Sequence, residues 1–177
     1  MKTQVWAHRG ASAYAPENTL EAFRLAAEMG ADGVELDVQL SRDGELVVAH
    51  DETIDRVSNG TGYIKDYTLA QLKKLSFNRL FPDFKDARIP TLKEVYELLK
   101  PAGLTVNVEL KTGIILYPEI EEKVLALTAS MGMEDRVIYS SFCHPSLVRL
   151  KELDSGLKTG LLYSDGWIDA AAYGRHT

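Results

Sequence analysis

The stretch GVELDVQ, residues 33–39, decides the fold of this chain. It is a short, mostly apolar run that carries two carboxylates, Glu35 and Asp37. Short apolar runs that end in charged residues and alternate with longer helical patterns are typical of parallel strands in α/β proteins. Because residues i and i+2 of a strand point to the same side, Glu35 and Asp37 share one face and Leu36 and Val38 the other. Acidic side chains on one face of an otherwise apolar strand call for a functional explanation.

Further segments on both sides of this stretch have the same pattern. The predicted strands are residues 4–7, 33–39, 46–49, 105–110, 137–140 and 158–163. Helical spacing of apolar residues predicts helices after residues 16–19, at 91–100 and at 118–131. Asn18 is predicted to cap the first of these helices, and Gly30 to end it. The alternation of strands and helices predicts a parallel sheet covered by helices.

The segment from Asp51 to Pro90 is far longer than an ordinary connection between a strand and a helix. It contains turn signals at 59–60 and 61–62 and a predicted short helix at 69–75. We interpret residues 51–90 as a small cap inserted after the third strand. Long insertions at strand ends lie over the active sites of barrel enzymes.

Composition narrows the class of protein. At 177 residues with 45% hydrophobic content, a single domain covering residues 1–177 is expected. The formal charge of −6 argues against nucleic acid or an anionic membrane as partner. Cys143 is the only cysteine, which excludes an intrachain disulfide and a cysteine-rich zinc site. No apolar run suits a signal peptide or a membrane span, so we expect no stable membrane insertion and a cytoplasmic location.

Polar side chains gather at the ends of four predicted strands. They are His8, Arg9 and Gly10, then Glu35 and Asp37, then His50 and Asp51, and finally Glu109 and Lys111. In a parallel barrel these ends open on one face, where catalytic groups are placed. Carboxylates that converge there repel one another unless a cation or protons intervene, and hard oxygen ligands favour Mg²⁺ or Ca²⁺ over zinc. The sequence predicts one divalent cation held by Glu35, Asp37 and Glu109.

The remaining groups suit phosphodiester chemistry. His8 and His50 each follow a predicted strand, and a histidine pair can supply a general acid and a general base near neutral pH. Arg9 and Lys111 offer positive charge for a phosphate, although Arg9 could instead pair with a carboxylate across the barrel mouth.

Five sequence motifs resemble those of the glycerophosphodiester phosphodiesterases. They are HRG at 8–10, PENTLEAF at 16–23, ELDV at 35–38 followed by DG at 43–44, VVAHD at 47–51 and ELK at 109–111. Residues 53–62 and Ser141-Phe142 extend the likeness.

The resemblance implies an α/β fold of the TIM (β/α)₈ barrel type. It implies hydrolysis of a small glycerophosphodiester, such as glycerophosphocholine or glycerophosphoethanolamine, to sn-glycerol 3-phosphate and an alcohol. A glycerol hydroxyl or water activated by the metal would attack phosphorus, and a protonated histidine would expel the alcohol. His8 and His50 would be the acid and base, in an order left open.

The same resemblance assigns the other site residues. Glu35, Asp37 and Glu109 would bind the metal, and Arg9 and Lys111 the phosphate. Phe142 either lines the pocket or only packs.

One departure concerns the C-terminus. The family continues into a strand with a W-T-V-N-like motif and a final strand that closes the barrel, and neither motif occurs here. We therefore expect a C-terminally truncated chain with roughly six of eight βα units, whose open edges would favour association of copies. The alternatives are a phospholipase D-like enzyme acting on intact lipid and a non-catalytic barrel fragment. Glu17 and Asn18 are interpreted as helix-start residues, and His144 and His176 as structural or exposed.

Overall fold

A computed structural model describes residues 3–175, and its centre is a six-stranded sheet. The strands are β1 (Trp6–His8), β2 (Gly33–Leu40), β3 (Leu46–Val48), β4 (Thr105–Leu110), β5 (Val137–Ser141) and β6 (Thr159–Leu161). Five of them pair in parallel in the order β1-β2-β4-β5-β6, while β3 pairs with β2 alone. All five parallel strands therefore have their carboxyl ends at the same edge of the sheet.

The helices connect these strands and cover the sheet. They are α1 (Leu20–Glu28), α2 (Leu69–Leu72), α3 (Leu92–Ala102), α4 (Ile120–Ser130), α5 (His144–Leu153) and α6 (Ala170–Arg175). The predicted helices at the positions of α1, α3 and α4 are confirmed, and α5 adds one that the sequence analysis did not identify. Thr19, and not Asn18, caps α1, because the Thr19 hydroxyl accepts from the amide of Ala22. No helix within residues 3–175 is long and apolar enough to cross a membrane.

The prediction that the third strand is a parallel barrel strand is wrong. β3 runs antiparallel to β2, with Val48 opposite Val38 and Leu46 opposite Leu40. The physical reason is the length of the connection: residues 41–45 make a hairpin turn, whereas a parallel crossover needs a dozen residues or more. The count of six strands is right, but five of them, and not six, take parallel barrel positions.

The two faces of the sheet differ as the alternation of residues predicted. The side chains of Leu36, Val38, Val108 and Leu110 are buried in the main core with residues of the covering helices. The alternate residues of β2 and β4 form a polar interior face, on which Glu35 lies beside Asn107 and Asp37 beside Glu109.

The segment between β3 and α3 has a small core of its own. This core is made of Val47, Ala49, Ile54, Ile64, Leu72, Phe77 and Ile89. The predicted short helix is present as α2, which begins with a capping box between Thr68 and Gln71. The inserted segment is therefore ordered by its own apolar contacts and by its contact with the β2-β3 hairpin.

Candidate active site

Three carboxylates converge at the carboxyl edge of the sheet. Glu35 and Asp37 come from β2 and Glu109 from β4, and one oxygen of each lies within 4.8 Å of the others. The parallel register produces this arrangement, because it sets Asp37 directly beside Glu109 and leaves Glu35 two residues away on the same face. We call these residues the acidic trio.

The acidic trio is buried, which is costly for ionised carboxylates in the absence of a cation. Burial, and next the charge of Asp37, raises the pKa of Glu35 to about 8. The pKa of Glu109 is raised by the same two causes in the same order. Among the described residues, Glu35 Oε1 and Asp37 Oδ1 are buried without a hydrogen-bond partner. Close, buried oxygens that lack donors are what a hard divalent cation requires, so the trio fits a Mg²⁺ or Ca²⁺ ion.

Two cationic side chains flank the acidic trio. Lys111 Nζ lies 3.0 Å from Glu109 Oε1 and 3.9 Å from Asp37 Oδ1. Arg9 Nε lies 3.6 Å from Asp37 Oδ2, and the Arg9 guanidinium also donates to Glu17 Oε1 at 3.1 Å. Arg9 therefore does pair with carboxylates, as the alternative to a phosphate-binding role predicted. Arg9 Nε itself is buried without a hydrogen-bond partner in the described part of the chain.

His8 ends β1 at the rim of the site. Its side chain is 69% exposed, and Nε2 lies 3.7 Å from Glu35 Oε2. Partial burial, and next the positive charge of Arg9, lowers the pKa of His8. His8 thus lies between the acidic trio and solvent, which suits a group that exchanges protons with a bound molecule.

His50 reaches the site through the β2-β3 hairpin and not from a parallel strand end. One edge of β2 binds β1 first and the hairpin next. The Glu35 carbonyl accepts a hydrogen bond from Arg9 N, and the Asp37 carbonyl on the same edge accepts one from Ala49 N. The hairpin therefore pairs with β2 just beyond the end of β1, which brings His50 back toward the acidic trio. The charge of His50 lowers the pKa of both His8 and Glu109, so the three groups share one electrostatic environment.

Four residues that the sequence analysis did not assign to the site also contact its polar groups. Asn18 Nδ2 donates to Asp37 Oδ2 at 2.9 Å, and Asp51 Oδ1 lies 2.6 Å from His50 Nδ1. Arg56 from the inserted segment binds both Asp51 and Glu17. Asp51 was named at the end of the third predicted strand without a role, whereas no sequence signal joins Arg56 to Glu17, which lies 39 positions away.

The remaining candidates lie apart from these contacts. Phe142 follows β5 with 53% of its surface exposed. His144 is held by the carbonyl of Leu162 and the hydroxyl of Tyr173, in agreement with the structural role expected for it. His176 lies outside the described residues.

Known proteins share both the sequence and the fold. The model of the "Glycerophosphoryl diester phosphodiesterase family" matches residues 8–173. A glycerophosphodiester phosphodiesterase of Caldanaerobacter subterraneus subsp. tengcongensis is 53% identical over 170 residues, which is 96% of this chain and 70% of the relative.

Solved structures agree. A glycerophosphodiester phosphodiesterase from Agrobacterium tumefaciens superposes with a TM-score of 0.81 at 37% identity, over 89% of this chain and 66% of that one. A phosphodiesterase from Oleispira antarctica, in complex with the product sn-glycerol-3-phosphate, has a TM-score of 0.82 at 34% identity, over 98% of this chain and 70% of that one.

The match includes the residues that build the site, from His8 through the acidic trio to the end of β6. It confirms the predicted fold class, since the five parallel strands and their helices are part of a TIM barrel, and this chain spans about two thirds of the length of the solved relatives. By its sequence, its parallel sheet and its likeness to solved enzymes, the chain belongs to the glycerophosphoryl diester phosphodiesterase family of hydrolases.

Proposed function

We propose that this chain carries the groups that hydrolyse a small glycerophosphodiester, such as glycerophosphocholine or glycerophosphoethanolamine, to sn-glycerol 3-phosphate and an alcohol. The observation that carries the proposal is the buried acidic trio, which has two oxygens without donors among the described residues and is flanked by Arg9 and Lys111. The product bound to the Oleispira relative supports the same substrate class for this chain.

Glu35, Asp37 and Glu109 would hold one divalent cation, Mg²⁺ or Ca²⁺. When bound, such an ion supplies positive charge for the phosphoryl oxygens and lowers the pKa of a coordinated hydroxyl or water. The donor set supports this assignment because all three ligands are carboxylates on rigid strands.

Arg9 and Lys111 would bind the phosphate from opposite sides of the trio. In this structure Arg9 lies beside the carboxylate of Asp37, and Lys111 forms an ion pair with Glu109. The buried Arg9 Nε, which has no hydrogen-bond partner among residues 3–175, is a donor left for an incoming oxygen. Charge placed in a water-poor site in this way stabilises the negative charge that builds up during phosphoryl transfer.

His8 and His50 would exchange protons with the substrate. His8 would act from the exposed rim and His50 from the hairpin beside Asp37. One would take a proton from the attacking hydroxyl, and the other would give a proton to the departing alcohol oxygen. Which histidine is the base and which the acid is left open.

The experiment is to measure release of sn-glycerol 3-phosphate from glycerophosphocholine with Mg²⁺, Ca²⁺ or EDTA. His8→Ala and Glu109→Ala test the site, and Asp86→Asn on the exposed surface of the inserted segment serves as the matched control. We expect release that EDTA abolishes and that both site variants lose, with Asp86→Asn unaffected. Activity that persists in EDTA would overturn the metal assignment.

Two rival functions are decided by the same assay. Release of head group from phosphatidylcholine vesicles, without release from glycerophosphocholine, would favour the phospholipase D-like alternative. Binding of a divalent cation without any turnover would favour the alternative of a non-catalytic barrel fragment. The cytoplasmic location and the association of copies stay predictions.

A further inference from the structure

A chain of ion pairs runs from the phosphate side of the site to His50. Arg9 donates to Glu17, and Glu17 accepts from Nη1 and Nη2 of Arg56, each at 2.8 Å. The other side of Arg56 binds Asp51 through Nε at 2.7 Å and Nη2 at 3.2 Å. Asp51 Oδ1 lies 2.6 Å from His50 Nδ1.

From this geometry we propose that Asp51 and Arg56 are positioning residues, which fix the ring orientation and the tautomer of His50 so that its Nε2 faces the substrate. The proposal rests on the proposed function, because it assumes that His50 exchanges a proton there. Neither residue is expected to touch the substrate; both act through His50.

The tautomer follows from the charge of Asp51. Burial alone would raise the pKa of this carboxyl, but hydrogen bonds from Arg56 and His50 lower it to about 2. An ionised carboxylate only accepts hydrogen bonds, so His50 Nδ1 must carry the hydrogen. In the neutral ring Nε2 is then the bare nitrogen and the one that exchanges protons.

Arg56 is suited to its place because it bridges two carboxylates at once. A planar guanidinium can present paired donors to Glu17 on one side and to Asp51 on the other, whereas a lysine ammonium is a point charge without this fork. Since Glu17 precedes α1 and Arg56 belongs to the inserted segment, the bridge also ties that segment to the barrel rim.

The backbone of the His50 loop has a second anchor that makes side-chain positioning effective. Gln39 Nε2 donates to the carbonyls of Ala49, His50 and Asp51 at 2.9, 3.2 and 2.8 Å. With the backbone held by Gln39 and the Asp51 carboxylate held by Arg56, the remaining freedom of His50 is the rotation of its ring, which the contact with Asp51 removes.

The test combines a spectroscopic readout with kinetics on the metal-loaded chain. The ¹⁵N shifts of His50 are recorded in the ¹⁵N-histidine-labelled parent, in Asp51→Asn and in Arg56→Lys, with His50→Gln to assign the signals and Asp86→Asn as the charge control. The same proteins are assayed for kcat and KM with glycerophosphocholine, and for Ca²⁺ affinity by calorimetry.

At a pH at which the His50 ring is neutral, we expect its hydrogen on Nδ1 in the parent, and we expect Asp51→Asn to shift the population toward hydrogen on Nε2. We expect kcat to fall about 100-fold or more in Asp51→Asn, the scale of one general acid–base contribution, with KM and Ca²⁺ affinity near the parent values. Arg56→Lys should fall between the parent and Asp51→Asn.

An unchanged His50 tautomer in Asp51→Asn would overturn the proposal, as would equal losses of kcat, KM and Ca²⁺ affinity that mark general disorder of the site. If the parent releases no sn-glycerol 3-phosphate, the proposed function of this chain fails, and the tautomer measurement still decides whether Asp51 orients His50.

Discussion

The side-chain amide of Asn18 donates a hydrogen bond of 2.9 Å to Oδ2 of Asp37, the most buried member of the acidic trio. Asn18 adopts a left-handed backbone conformation with φ of 56°, one that asparagine tolerates better than most residues. This backbone conformation turns the side chain of Asn18, the residue before the cap of α1, toward the site. The Asn18 amide fixes the orientation of the Asp37 carboxylate, whose Oδ1 has no donor in the described structure.

Replacing Asn18 with glycine is expected to weaken divalent binding by about 10- to 100-fold, the usual cost of losing a partner that orients a metal ligand. Glycine is the right substitute because it keeps the left-handed backbone, so the loss reports the amide alone. The measurement is calorimetric titration with Ca²⁺ and Mg²⁺. Affinity equal to that of the parent would show that the Asn18 amide does not orient Asp37.

Much of the barrel and of the acidic trio was predictable because both follow from strand periodicity. Glu35 and Asp37 share a face because the side-chain period of a strand is two, and the structure brings Glu109 to the same face. The bounds of β4 could be predicted from its apolar run alone, which lies between Gly103 and Lys111.

The errors came from connections and from contacts distant in sequence. The five residues between β2 and β3 excluded a parallel crossover, and the Asp43-Gly44 turn signal pointed to a hairpin. Arg56 joins Glu17 across 39 positions, a contact that exists only once the inserted segment has folded onto the barrel rim. Sequence periodicity carries no information about such a pair.

The metal-free protein should lose stability as pH rises. The pKa of Glu35 is raised from 4.5 to about 8, mainly by burial, so between these values the folded chain keeps a proton that the unfolded chain has released. The free energy of unfolding therefore falls as pH rises through this window, by at most about 1.4 kcal/mol per pH unit for one group, or on the order of 5 kcal/mol across it. Urea unfolding in EDTA at a series of pH values measures it.

Glu35→Gln isolates that contribution. The amide does not titrate, so the variant should show a flatter pH dependence and a more stable metal-free fold near pH 8, while losing the stabilisation that Ca²⁺ or Mg²⁺ gives the parent. Identical pH slopes in parent and variant would mean that Glu35 is already ionised in the metal-free protein near neutral pH.

Gly10 of the H-R-G motif and Gly30 form a matched pair for stability. Both have φ of 76°, but a Cβ on Gly10 would lie 2.7 Å from the backbone of Ala22, whereas a Cβ on Gly30 would meet nothing within 4 Å. Gly30→Ala should lower the free energy of unfolding by about 1 kcal/mol, the cost of the left-handed backbone alone. Gly10→Ala adds a clash with α1 and should lower it by about 3 kcal/mol. Equal losses on urea unfolding would show that α1 moves aside without cost.

Gln39 should link the stability of the hairpin to the activity of His50. It is fully buried, donates to three successive carbonyls around His50, and accepts at Oε1 from the hydroxyl of Tyr117 at 2.9 Å. Gln39→Leu replaces the amide with an apolar side chain of similar size and leaves these groups unpaired, so we expect a loss of about 2–4 kcal/mol in the free energy of unfolding.

Tyr117→Phe is the matched control for Gln39→Leu. It removes one donor to Gln39 Oε1 and leaves the three carbonyl contacts in place, so it should cost about 1 kcal/mol and leave kcat near that of the parent. Under conditions where both variants stay folded, Gln39→Leu should lower kcat because the His50 loop is no longer held, and it should leave Ca²⁺ affinity intact because the acidic trio is supported from β2 and β4. A folded Gln39→Leu protein with unchanged kcat would show that the His50 loop keeps its position through the ladder between β2 and β3 alone.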